Sequence, residues 1–115
     1  MIISIVGSRS FSDFDLLDSF ILQHIDIKKI DGIISGGATG TDKLAEHFAA
    51  KYLLPIEIIL PDWKLYGKKA AIIRNIEIVK KADFILAFWD GKSKGTAFII
   101  KEAKRKNKGY LLEVV

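Results

Sequence analysis

A chain of 115 residues, half of them hydrophobic, is long enough to form one domain around a buried core and too apolar to be disordered. It has no cysteine, which excludes disulfides and thiolate metal sites, and its formal net charge of +4 is too small to predict nucleic-acid binding by itself. No apolar run is long enough to span a bilayer, and no secretory signal precedes the first predicted strand. We therefore expect a cytoplasmic protein without a membrane partner.

Short apolar segments alternate with amphipathic segments along the whole chain. The apolar segments predict strands at 2–6, 31–35, 55–60, 83–89 and 110–114. The amphipathic segments predict helices at about 13–26, from Thr41 or Asp42 through Tyr52, at 69–81 and at 95–107. Apolar strands separated by helices are typical of a parallel sheet covered on both faces. The predicted fold is one α/β domain over residues 1–115, a Rossmann-like doubly wound parallel sheet of about five strands with helices on both faces.

Turns rich in glycine and hydroxyl residues follow three of the predicted strands, at 7–10, 35–42 and 90–96. The carboxyl ends of parallel strands form one edge of the sheet, and ligands of doubly wound folds bind there. Glycine lets a ligand approach the backbone, and the N-terminus of a following helix attracts anions. We therefore predict a phosphate-binding site at this edge. The alternative is a set of tight turns in which Thr41 or Asp42 only caps a helix.

Two arginines fall near the same edge. Arg9 can hold a phosphate or carboxylate through two parallel hydrogen bonds, or it is a surface arginine paired with Asp13 or Asp15. Arg74 and its neighbour Asn75 interrupt an apolar run, and buried polar side chains need partners. They either pin the preceding loop to the sheet edge or reach a ligand.

Two tryptophans also fall near this edge, where each either stacks on a base or ribose or packs at the rim of the site. The predicted ligand-binding residues are Gly7, Ser8, Arg9, Ser35, Gly36, Gly37, Ala38, Thr39, Gly40, Thr41, Asp42, Trp63, Arg74, Asn75, Trp89, Asp90, Gly91, Ser93, Gly95 and Thr96.

Three acidic residues are candidates for proton transfer. They are Asp42, Glu46 and Asp90, and a carboxylate beside a ribose can bind its hydroxyls or act as a general acid or base. The alternative is that they cap helices. His24 and His47 lie on different predicted helices without metal-ligand spacing, so we predict no metal site.

In order and spacing, these motifs resemble the SLOG superfamily (SMF/DprA–LOG), and within it the small YspA-like branch. The matching segments are 6–13, 35–45, 61–70, 73–75 and 87–96, which together run through nearly the whole chain. The resemblance implies a Rossmann-like domain that binds a nucleotide or a nucleotide-derived ligand such as an ADP-ribose-like compound. It also implies a dimer, and a role as a sensor in phage-conflict or stress systems, and nothing points to a further required cofactor.

One difference from the phosphoribohydrolase branch bears on activity. That branch carries Pro-Gly-Gly-x-Gly-Thr-x-x-Glu with a catalytic glutamate, whereas here Gly95-Thr96 is followed at that spacing by Ile99, and Thr41 by Leu44. The sequence therefore predicts a binding or sensing domain rather than an enzyme. The alternatives are a hydrolase of nucleotide N-glycosidic bonds that uses one of the three candidate acids, and a single-stranded DNA-binding protein like the DNA-processing relatives.

Overall fold

Five parallel strands form one sheet in the computed structural model, which describes residues 1–115. The strands are β1 Ile2–Gly7, β2 Gly32–Ser35, β3 Ile56–Ile58, β4 Phe84–Trp89 and β5 Gly109–Val114. The helices are α1 Phe14–His24, α2 Thr41–Lys51, α3 Trp63–Tyr66, α4 Ala70–Lys81 and α5 Lys94–Arg105, with 3₁₀ turns at Ile27–Lys29 and Gly67–Lys69. Every strand pair is parallel. The predicted α/β fold is confirmed.

The strand order is β3-β2-β1-β4-β5, which periodicity alone does not reveal. The chain winds from β1 outward through β2 to β3, then returns to place β4 on the other side of β1. The direction of winding therefore switches between β1 and β4. The loops that follow these two strands leave in opposite directions, and a crevice forms between them at the carboxyl edge.

The two faces of the sheet carry separate cores because successive side chains of a strand point to opposite faces. Ile3 and Ile5 of β1 belong to a core with residues of α1 and α2, which includes Phe48. Val6 belongs to a second core with residues of α4 and α5, which includes Ile78. The central strands are buried from both sides, so nearly every residue in them is apolar.

The ends of the elements depart from the sequence expectation in the middle of the chain. The third strand covers only Ile56–Ile58 instead of 55–60, and the following loop contains α3, whose N-cap Asp62 accepts a hydrogen bond from Leu65 N at 3.0 Å. At the start of α1 the carboxylate of Asp13 accepts from Leu16 N at 3.1 Å, as expected for a cap. None of the helices has both the length and the apolar content that a bilayer span requires.

Candidate functional site

A cleft of about 510 Å³ opens at the carboxyl edge of the sheet, where the winding direction switches. Its walls come from the end of β1, the loops after β2 and β4, one side of α4 and the first turns of α5. The lining residues are Val6, Gly7, Arg9, Ser10, Gly36, Ala38, Asp42, Ala71, Arg74, Asn75, Ile78, Asp90, Ser93, Lys94, Gly95, Thr96 and Ile99. All three turns singled out in the sequence thus contribute to one cavity.

The three turns are tied together through Ser8, which is buried. Its carbonyl oxygen accepts hydrogen bonds from the backbone N–H of Thr41 at 3.2 Å and from the Thr41 hydroxyl at 2.9 Å. Its own hydroxyl oxygen accepts from Asp90 N at 2.9 Å. Ser8 and Thr41 therefore hold the loops in place, and neither side chain lines the cleft.

Two glycines permit this close packing. A Cβ at Gly7 would overlap the Phe88 carbonyl oxygen, and a Cβ at Gly40 would overlap the backbone of Arg9. Gly40 also has a φ of +70°, in the left-handed region that other L residues adopt at a cost. The loops after β1 and β2 thus pack backbone against backbone, which only glycine allows.

Arg74 forms hydrogen bonds with the loop after β2, which is part of the cleft lining. Its Nη1 donates to the Gly36 carbonyl oxygen at 2.6 Å and to that of Ile59 at 3.4 Å, and its Nε donates to Asn75 Oδ1 at 2.8 Å. The side chain is half-buried, and this desolvation lowers the pKa of the guanidinium, with the charge of Arg9 acting in the same direction and that of Asp42 opposing it. Arg74 therefore holds the loop after β2, which is neither of the two roles that the sequence offered, the preceding loop or a ligand.

Asp42 lines the cleft and is only 8% exposed. Its Oδ2 accepts a hydrogen bond from Ala38 N at 3.0 Å. Burial raises the pKa of this carboxyl, although the Ala38 N–H and the charge of Arg74 oppose the shift. Asp42 is therefore the lining carboxyl whose environment favours the protonated form.

The other two candidate acids are in different settings. Asp90 lines the cleft and accepts from the N–H groups of Ser93 and Lys92, both at 2.8 Å, which lowers the pKa of its carboxyl. Glu46 does not line the cleft. Its Oε2 is buried 3.2 Å from Lys43 Nζ, within ion-pair distance but without hydrogen-bond geometry.

Two cations at the cleft have no protein partner. The side chains of Arg9 and Lys94 enter no ion pair and no hydrogen bond, so the pairing of Arg9 with Asp13 or Asp15 is absent. Lys94 begins α5, and the N–H groups of Lys94 and Gly95 have no acceptor within the protein. Ser93 caps this helix, with its hydroxyl 3.4 Å from Thr96 N. Free cations and free N–H groups therefore occur together in the lining of one cleft.

Several predicted ligand-binding residues do not line the cleft, namely Ser8, Ser35, Gly37, Thr39, Gly40, Thr41, Trp63, Trp89 and Gly91. The Trp89 indole N–H donates to the Ser93 carbonyl oxygen at 3.0 Å, and Trp63 lies on α3 with 58% of its surface exposed. Stacking by either tryptophan stays a prediction.

Lys94, Ser10 and the apolar lining residues were not among the predicted ligand-binding residues. A role for Lys94 could have been predicted, because it lies between Ser93 and Gly95 in the third turn, and both of these were predicted ligand-binding residues. Ala71, Ile78 and Ile99 resemble ordinary core positions in the sequence, and only the strand order brings them to the cleft. No three His, Asp or Glu side chains come together in a way that could hold a metal ion.

Comparison with known proteins gives one informative match. Over 79 residues the chain is 38% identical to the Gene 61 protein of Mycobacterium phage D29. The matched stretch covers 64% of this chain and 63% of the phage protein's length, so it spans less than two thirds of that relative. No family model and no solved structure matches the chain.

Proposed function

We propose that this chain is a binding or sensing domain for a phosphorylated, nucleotide-like small molecule, such as a nucleotide or an ADP-ribose-like compound, and that it is a member of the SLOG superfamily. The observation that carries the proposal is that Arg9, Lys94 and the N-terminus of α5 all line one cleft. Unpartnered cations and unpaired N–H groups facing one cavity are the partners that a phosphate needs.

The charges around the cleft support an anionic ligand. The pKa of Arg74 is lowered partly by the charge of Arg9, so two guanidinium groups repel each other across the site. An anion bound between them would relieve that repulsion. The helix dipole of α5 adds partial positive charge at the same place.

Size and surface support a ligand larger than phosphate alone. The cleft of about 510 Å³ falls within the range of small-molecule pockets. Ala71 gives the lining an apolar group that a base or a ribose face can contact, whereas Ile78 and Ile99 keep only 1% and 4% of their surfaces exposed. A lining that combines cations, such as Arg9 and Lys94, with an apolar group such as Ala71 suits a nucleotide-like compound.

Isothermal titration with AMP, ADP and ADP-ribose tests the proposal, with adenosine as the uncharged control. A phosphorylated ligand at a hundred times its dissociation constant should stabilise the fold by about 2.7 kcal/mol in a thermal-shift assay. Lys94→Gln should weaken binding about tenfold. Lys101→Gln, the same change at an exposed position further along α5, should leave affinity unchanged. The absence of any response to all three phosphorylated compounds would falsify the proposal.

Asp42 favours a second candidate, hydrolysis of a nucleotide N-glycosidic bond. A buried carboxyl with a raised pKa in a ligand cleft is the kind of group that donates or accepts a proton in catalysis. Release of free base from a nucleoside monophosphate, lost in Asp42→Asn, would support this activity. Substrate that stays intact after long incubation with the folded protein would rule it out.

The proposal includes a cytoplasmic homodimer. Large apolar side chains are exposed around α3, where Leu60, Trp63 and Leu65 keep 66%, 58% and 68% of their surfaces accessible. Exposed apolar groups in this number are typical of surfaces that another protein covers. Light scattering across a concentration series measures the oligomeric state, and a monomer at every concentration would contradict the dimer.

A further inference from the structure

Asn75 occupies a position in the cleft where the orientation of its side-chain amide is fixed. The residue is 7% exposed, and its Oδ1 accepts a hydrogen bond from Arg74 Nε at 2.8 Å. A guanidinium group only donates hydrogen bonds, so the oxygen of the amide must face Arg74. The amide nitrogen therefore faces the opposite way.

That nitrogen has no protein acceptor. Asn75 Nδ2 makes no hydrogen bond, yet it is absent from the fully enclosed unpartnered atoms, which are Ser4 Oγ and Glu46 Oε2. Since Asn75 lines the cleft, the surface on which Nδ2 stays accessible is that of the cleft. A largely buried donor without an acceptor is unfavourable unless water or a ligand completes it.

The nitrogen also lies beside the first turn of α5. A Cβ placed on Gly95 would lie 3.7 Å from Asn75 Nδ2. The N–H groups of Lys94 and Gly95, which have no protein acceptor, belong to this same turn. A neutral donor on α4 and backbone donors on α5 are therefore placed to meet one group of a ligand.

We infer that Asn75 determines specificity for the phosphoryl group of the ligand, with Nδ2 donating to a phosphoryl oxygen that the N-terminus of α5 also binds. Arg74 is a positioning residue: it is committed to the Gly36 carbonyl and to Asn75 Oδ1, and it acts on the ligand through Asn75. This inference rests on the proposed binding of a phosphorylated compound. It adds that the group bound by Asn75 Nδ2 is a hydrogen-bond acceptor.

The chain offers an unusually direct spectroscopic test, because its only carboxamide side chains are Asn75, Asn107 and Gln23. The side-chain NH₂ signals are assigned by comparing the ¹⁵N spectra of the wild type, Asn75→Ala and Asn107→Ala. Titration of the wild type with inorganic phosphate and with AMP should move the Asn75 signal in a saturable way. The signals of Asn107 and Gln23 should stay in place.

Affinity measurements give a second readout by isothermal titration. Asn75→Ala should weaken the binding of inorganic phosphate and of AMP about tenfold, because one hydrogen bond to a charged group is lost. Asn75→Asp should weaken it further, since the new carboxylate repels phosphate while still accepting from Arg74. Asn107→Asp, which adds the same charge outside the cleft, is the matched control and should bind as the wild type does.

The outcomes separate the two proposals. If the wild type binds phosphate or AMP but the Asn75 signal stays in place and Asn75→Ala keeps full affinity, the role of Asn75 is wrong and the proposed function stands. If the folded wild type binds none of inorganic phosphate, AMP and ADP-ribose, the proposed function is wrong and this inference with it.

Discussion

Cations at the two edges of the sheet differ in whether they have a protein partner. At the amino edge, a cavity of about 400 Å³ includes Lys81, whose ammonium lies 2.8 Å from the carboxylate of Glu57 and 3.4 Å from that of Glu77. At the carboxyl edge, Arg9 and Lys94 line a cleft of similar size without any protein partner. Lys81 therefore has two carboxylate partners within the protein, whereas Arg9 and Lys94 have none.

The backbone shows the same contrast. Around the amino edge, the starts of β1 and β2 are held in ordinary ladder pairing. At the carboxyl edge, glycines let loops touch backbone to backbone, and the first N–H groups of α5 have no acceptor. Free N–H groups at the start of α5 are what is expected if a ligand supplies their acceptor.

The largest effect should come from disrupting the packed loops of the carboxyl edge. Gly40→Ala places a methyl group against the Arg9 backbone in addition to the cost of a positive φ, so we expect a loss of about 3 kcal/mol or more in the free energy of unfolding. Gly91→Ala is the matched control: its φ is +81° but nothing lies near the added carbon, and it should lose about 1 kcal/mol. Urea denaturation measures both, and equal losses would show that the close approach is unimportant.

A smaller effect should follow from removing the pin on the loop after β2. Arg74→Gln leaves the Gly36 carbonyl oxygen without its donor, and we expect about 1–3 kcal/mol of destabilisation. Phosphate affinity should fall in the same variant, because Asn75 loses the group that orients it. A variant as stable as the wild type would mean that water replaces the guanidinium without loss.

The dependence of stability on pH should separate the two lining carboxylates by sign. The pKa of Asp42 is raised from 3.8 in the fold, so its ionisation costs stability, and this cost appears as the pH rises through the folded pKa. Asp42→Asn should therefore become more stable relative to the wild type as the pH rises from about 3 to 7. Urea titrations at each pH measure the difference.

Asp90 is the opposite case and serves as the control. Its pKa is lowered from 3.8, so its ionised form contributes stability that is present above that value and lost as the pH falls through the folded pKa. Asp90→Asn should accordingly lose stability relative to the wild type as the pH rises. The same sign for both variants would contradict the assignment of the Asp42 shift to burial.

The smallest effect should come from the amino edge. Lys81→Gln removes two exposed ion pairs that solvent already screens, and we expect a thermal midpoint that cannot be told from that of the wild type. Its affinity for phosphate probes should also be unchanged. A clear loss of ligand binding in Lys81→Gln would break the distinction between the two edges.

Much of the fold was accessible from the sequence because the central strands are buried on both faces. Segments such as 84–89 carry only apolar side chains, and this pattern favours few other structures. The four-residue helix α3 was missed because it buries no residue, so it leaves no apolar periodicity. The strand order was inaccessible because it depends on packing between elements far apart in the chain.

The site was accessible at the level of its turns, and less so at the level of single side chains. Gly36 and Gly95 were found because glycine marks a turn, and both line the cleft. The separate roles of Arg74 and Asn75 were left open, because packing decides where each side chain of a helix points and the sequence alone does not show that packing. The same limit applies to Thr41, whose hydroxyl turns inward to Ser8.

The carbonyl oxygen of Ser8 accepts three hydrogen bonds in the loops at the carboxyl edge. The bonds from Thr41 N and the Thr41 hydroxyl join the segments after β1 and β2, and the bond from Phe11 N lies within the first of these segments. The Thr41 amide proton should then exchange with deuterium only as slowly as the whole domain opens, while amides near Gly91 exchange freely.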